Sequence, residues 1–172
     1  MRKNLIFTIL LTVIFASNAF GQSGNGGELN TWTSAGISRL NEKNAKPAFL
    51  KEVRVAKNKG FDRIVFEFTG DLPHFTVGYV KPPITGSGEN EIKVSGKYFV
   101  EITFHSLTFP EDENYKYEKI KKANLKLPVV SELQEIEWFE GVRPFAAGLK
   151  AKKDFRVTQL TNPTRLVVDF KQ

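Results

Sequence analysis

Apolar and polar positions alternate with a period of two along most of the chain after residue 47, and one six-residue form of that pattern occurs twice, as RIVFEF at Arg63 to Phe68 and RLVVDF at Arg165 to Phe170. Successive side chains of an extended strand point to opposite faces. Ile64, Phe66 and Phe68 therefore share one face, and Leu166, Val168 and Phe170 share its counterpart. The opposite faces carry Arg63, Val65, Glu67 and Arg165, Val167, Asp169, basic at the start and acidic at the end. Four residues at about 3.3 Å each keep the two charges of one strand roughly 13 Å apart. An antiparallel pairing of the two strands would instead set each arginine opposite the other strand's acid. The competing reading is two separate half-buried strands with a common pattern.

The same alternation predicts further strands. Phe49 to Ala56 is turned by Asn58 and Gly60 into Phe61 to Phe68, and Gly70, Asp71 and Pro73 lead to a strand with Phe75, Val77 and Tyr79 on one face. Lys81, Pro82 and Pro83 end it. A Gly and Ser loop passes Ile92 and Val94 to Gly96, after which Tyr98, Val100, Ile102 and Phe104 alternate with Phe99, Glu101 and Thr103. Phe99, Val65 and Val167 on the nominally polar faces imply that some strands are covered on both sides. EDENYKYEKIKKANLKLP after Pro110 breaks the pattern with charges of both signs. Ile120, Ala123, Leu125 and Leu127 could line a short helix or an irregular arm there. Strands resume at Leu133 to Phe139, Phe145 to Leu149, Phe155 to Leu160 and Arg165 to Phe170, the last turned by Asn162 and Pro163. The prediction is an all-β fold, a β-sandwich of eight or nine short, mainly antiparallel strands.

FLKEVRVAKNKGFDRIVFEFTGDLPHFTVGYV at 49–80, GSGE at Gly86 to Glu89, FEGV at Phe139 to Val142 and FRVTQLTNPTRLVVDF at Phe155 to Phe170 resemble, in order and spacing, the bacterial AMIN-like domain. The blocks span most of the chain after about residue 45. The resemblance implies a β-sandwich related to AMIN modules, which sit in extracytoplasmic proteins and in cell-wall amidases help direct the enzyme to the envelope. It implies no catalytic residues.

The first residues read as a targeting signal: Arg2 and Lys3, then the apolar LIFTILLTVIFA, then SNAFGQ. Twelve such residues are too few for a helix to span a bilayer. Ala19 and Gly21 suit cleavage before Gln22, and Ser17 with Ala19 suits cleavage before Phe20; an uncleaved anchor is the competing reading. We expect a signal peptide over 1–21, a flexible Gly- and Ser-rich leader over 22–46, and the folded domain over 47–172. Within the leader, Trp32, Ile37 and Leu40 are placed to dock on the domain or to bind a partner, docking being the favoured reading. The chain has no cysteine. Disulfides are therefore excluded, and so is lipid attachment after the signal. The 151 residues left by cleavage before Gln22 can bury about two thirds of their unfolded surface without such staples. Formal net charge falls from +6 to +4 on losing Arg2 and Lys3, because no acid precedes residue 22. Export makes nucleic acid an improbable partner for this mild basic bias, whereas anionic wall polymers and lipid headgroups suit weak attraction; the competing reading is a bias that only aids solubility.

Catalytic motifs are missing from the sequence. His74 and His105 stand in no ligand-spacing motif, so each reads as a strand-end residue rather than a zinc ligand. No G-x-S-x-G elbow occurs, and SGNGG and GSG lack the following helix that phosphate binding needs. The acids Glu111, Asp112 and Glu113 lack the alternating spacing of a calcium loop and have Lys116 and Lys119 close by. No metal, cofactor or catalytic residue is expected. Aromatic side chains carry the better lead, because a ring beside polar groups can hold the apolar face of a sugar. Tyr115 and Tyr117 lie in the charged arm, and Trp138 lies in IEWFEG close to Arg143. These four are the candidate ligand-binding residues, although alternation puts Trp138 on the face of Ile136, which favours core packing. Tyr79 shares its face with Phe75 and Val77, its hydroxyl at the rim. The expectation is an exported, non-enzymatic envelope module with peptidoglycan as ligand, inherited from the wider AMIN group, or alternatively a protein-interaction module working through a strand edge or the charged arm. A small secreted enzyme is the third reading.

Overall fold

Two antiparallel sheets pack face to face in the computed structural model, which describes residues 27–40, 46–86, 90–108, 127–136 and 139–172. The nine strands are β1 (Ile37–Arg39), β2 (Phe49–Asn58), β3 (Phe61–Thr69), β4 (His74–Val80), β5 (Tyr98–His105), β6 (Val130–Glu135), β7 (Arg143–Leu149), β8 (Phe155–Leu160) and β9 (Thr164–Lys171). One sheet has the order β2-β3-β9-β8 and the other β1-β4-β5-β7-β6. No helix occurs among the described residues. The expected β-sandwich is therefore the fold.

The core is built from the faces that alternation singled out. Ile64, Phe66, Phe68, Leu166, Val168 and Phe170 are all buried, facing Phe75, Val77, Val100, Ile102 and Phe104 of the other sheet within one cluster. Phe66, Phe104 and Phe145 form its centre, with the Phe66 ring 4.9 Å from Phe104 and 5.0 Å from Phe145, in tilted and edge-on arrangements that suit the ring quadrupoles. Tyr98 departs from its strand's pattern. It is 43% exposed, because it opens β5 at the end of the sandwich, where only the following residues face the core.

Burial on both faces is also present. Phe99 packs on the outer side of its sheet with Ile84 and Ala146, and Val80, Val94 and Ile136 surround them. Residues on either side of the Gly and Ser loop thus fold back over β5 and β7. Val167 is likewise buried.

The two RxVx(E/D)F strands are neighbours. β3 and β9 pair antiparallel with Arg63 opposite Asp169 and Glu67 opposite Arg165. The first pair closes: Arg63 donates to both Asp169 oxygens, at 2.6 and 2.9 Å, and Arg156 from β8 donates to Oδ2 at 2.7 Å. The second pair is re-partnered, with Lys51 donating to Glu67 at 2.9 Å and Arg54 at 3.0 Å, while Arg165 Nε donates to the Pro163 carbonyl. Lys51, and after it Arg54, hold the Glu67 carboxyl below its usual range against the opposing effect of burial. The sheets are also tied at one end by Asp62. Its Oδ2 accepts the Val129 and Val130 amides at 2.7 and 2.9 Å, and Gln172 Nε2 donates to Oδ1.

The leader differs from its expectation over 27–40. Thr33 exchanges both backbone hydrogen bonds with Phe155, Asn30 N–H donates to Val157, and Ile37–Arg39 then pairs with β4 as a strand. This strap crosses from the edge of one sheet to the edge of the other and covers both, which removes two open ladders. Ile37 enters the core, and Trp32 packs on Phe61 beneath the Arg156 guanidinium, 4.6 Å from its ring. Leu40 is 81% exposed.

Candidate functional site

Of the four candidate ligand-binding residues, Tyr115, Tyr117 and Trp138 lie outside the described residues, as do Glu111, Asp112, Glu113, Lys116 and Lys119. Arg143 opens β7 and is enclosed, 3% exposed, with Nε donating to Glu135 at 2.7 Å and its guanidinium 5.8 Å from the Phe145 ring. Its neighbours Ile136 and Pro144 share a backbone hydrogen bond, and Phe139 and Val142 share two. Arg143 therefore sits at the base of the 136–142 turn. Tyr79 is half-buried with its ring toward Phe155, and its hydroxyl both donates to the Lys153 carbonyl and accepts the Lys153 amide.

His74 and His105 are strand-end residues, as expected, but they are also direct cross-strand partners. Their rings stack with centroids 4.7 Å apart, and Ser38 Oγ lies 3.4 Å from His74 Nε2. Sequence spacing could not show this meeting, because it depends on the β4–β5 register. Among the described residues no three His, Asp or Glu side chains come together to hold a metal. Burial, and then the neighbouring His105, lower the His74 pKa from its ordinary 6.5. The unfolded chain therefore takes up this proton more readily than the folded one. The stabilising difference is complete above pH 6.5 and is lost as pH falls through 6.5 toward the depressed folded value. Between about pH 7.5 and 5.5 the urea midpoint should drop more for the wild type than for His74→Asn. Parallel profiles for the two proteins would contradict the linkage.

The outer face of the β1-β4-β5 side holds an open groove of about 530 Å³, lined by Gly36 to Arg39, Thr76 to Val80 and Glu101. Register arranges the surface in rows across the strands. Ser38, Thr76 and Thr103 form one row, with His74 and His105 on one side of it and Gly78 with Glu101 on the other. Thr103 Oγ1 donates to Glu101 Oε1 at 2.8 Å, which draws the carboxylate along β5 toward the hydroxyl row. Arg39 stands at the rim with one guanidinium nitrogen on the Ser38 carbonyl. The arrangement offers hydroxyls and one carboxylate above a floor without side chains. It is suited to holding a ligand by hydrogen bonds.

The chain matches the AMIN-like domain family over residues 48–172, which takes in all of the described structure from Ala48 onward. No curated protein and no solved structure matches it. The family is extracytoplasmic and suggests a cell-wall-related binding module, and among the described residues no helix is long and apolar enough to cross a membrane. The match over residues 48–172 shows that the chain belongs to the AMIN-like domain family.

Proposed function

We propose that this protein is an exported, non-enzymatic binding module of the cell envelope, free of lipid attachment, whose ligand is peptidoglycan. The family match over 48–172 carries the reading. Two further features support it: the basic N-terminal region followed by twelve apolar-type residues, and an open groove furnished for hydrogen bonding instead of a closed pocket with paired acids. Tyr115, Tyr117 and Trp138 remain proposed contacts to the wall polymer, with Arg143, bound to Glu135 directly after the Phe139–Val142 turn, in a positioning role. Sedimentation of purified residues 22–172 with insoluble sacculi, against a cellulose control, tests the reading.

One observation favours a second reading. Among the described residues, β2 is the end strand of its sheet, and over Glu52 to Asn58 it pairs with β3 on one side with no strand on the other. Such an edge can accept an extended segment of another protein. A protein that stays in the supernatant with sacculi yet captures an envelope protein, and loses it on Val53→Pro, would support that alternative.

A further inference from the structure

Glycine in a strand forgoes a side chain that could pack, so its presence asks for a reason. Gly60, Gly70 and Gly141 adopt positive φ, and Gly27, Gly96 and Gly148 have neighbours that an added Cβ would meet at under 3.0 Å. Gly36 and Gly78 have neither reason. A Cβ on Gly78 would come no closer than 3.6 Å to any atom, there the Gly36 Cα, and one on Gly36 no closer than 3.8 Å. What the two glycines leave is space, and that space is the floor of the groove on β1, β4 and β5.

We infer that this groove is the ligand-binding site and that it takes a neutral, hydroxyl-rich saccharide segment, which rests on the wall-binding reading above and narrows it to the glycan. Its volume of about 530 Å³ falls within the range of small-ligand sites. The polar groups over the floor are the Ser38 and Thr76 hydroxyls, which donate and accept, and the Glu101 carboxylate, which is held by the Thr103 hydroxyl beside the groove and accepts from sugar hydroxyls. Val80 gives an apolar wall for a ring face. A carboxylate-bearing stem peptide fits poorly. Glu101 opposes its charge, and the lining's single cation, Arg39, is turned to the Ser38 and Gly27 carbonyls.

Nitrogen-15 spectra of residues 22–172 titrated with chitotetraose, and separately with the N-acetylated and therefore anionic tripeptide Ala-γ-Glu-Lys, test the assignment. Chitotetraose should shift the amides of Ser38, Thr76, Gly78, Glu101 and Thr103, and the tripeptide should not. Gly78→Val should abolish those shifts while keeping the wild-type melting temperature, since the added side chain enters open space. Glu101→Gln keeps the shape and should weaken binding roughly tenfold, the loss expected when one hydrogen bond to a charged group is reduced to a neutral one. Chitotetraose that leaves the groove amides unshifted, tripeptide shifts in the groove, or full binding by folded Gly78→Val would each overturn the assignment. Sedimentation separates the two levels. Wild type and Gly78→Val bound equally to sacculi would remove the groove and keep wall binding, whereas wild type left in solution would remove wall binding itself.

Discussion

Phe104→Ala should lower the stability of the domain by about 4 kcal/mol, the loss typical of truncating a buried phenylalanine in a core that cannot collapse around the void. Phe104 is fully buried, and its ring lies 4.9 Å from Phe66, 5.0 Å from Phe68 and 6.2 Å from Phe145. It is the point at which β3 of one sheet meets β5 and β7 of the other. Truncation removes transfer free energy and opens a space lined by three rings whose backbones are fixed by ladders in two sheets. For a domain of this length that loss corresponds to a melting temperature lower by roughly 8–16 °C. Phe104→Leu, which keeps most of the volume, should recover more than half of it. A shift of only a degree or two for the alanine variant would mean that the two sheets are not held together through this cluster.

The second large effect is expected at Asp169. Its carboxylate is wholly buried and accepts three hydrogen bonds from two guanidinium groups, Arg63 and Arg156, which are themselves partly open to water. Removing the acid leaves two cations side by side on the β3-β9-β8 surface, with only the rings of Phe61 and Trp32 to face. Asp169→Ala should therefore cost about 3 kcal/mol, below the upper end for buried pairs because both arginines can still reach solvent. If the cost comes from stranded charge, replacing Arg63 by methionine in the Asp169→Ala background should return part of it. A double variant less stable than Asp169→Ala alone would instead assign the loss to packing. Trp32 belongs to the strap, so this cluster also couples residues 27–40 to the family domain.

The sequence was informative wherever one residue's neighbours along the chain determine its environment. The buried faces of β3 and β9 and the second burial of Phe99 were legible from alternation, and the last turn from Asn162 and Pro163, whereas the pairing of β3 with β9 was open in the sequence and is decided by the register that closes Arg63 on Asp169. The expected partner of Glu67 was Arg165, but Lys51 and Arg54 reach it from β2, on the other side of β3, which alternation within β3 and β9 does not describe. β1 was missed because Ile37–Arg39 is three residues in a Gly- and Ser-rich segment, and its strand character comes from β4 rather than from its own composition. The groove was missed for a related reason. Gly36 and Gly78 are 42 positions apart, and each looks like an ordinary turn or strand-weakening glycine until the register sets them together. The aromatic candidates Tyr115, Tyr117 and Trp138 fall outside the described residues, and Arg143 is enclosed with Glu135.

Binding to the cell wall is the claim on which the rest of the functional account depends. Purified residues 22–172 should sediment with peptidoglycan sacculi, stay in solution with cellulose, and keep their sacculus binding when salt is raised enough to screen the mild basic charge. A protein that remains in the supernatant with sacculi at both salt concentrations would contradict that claim.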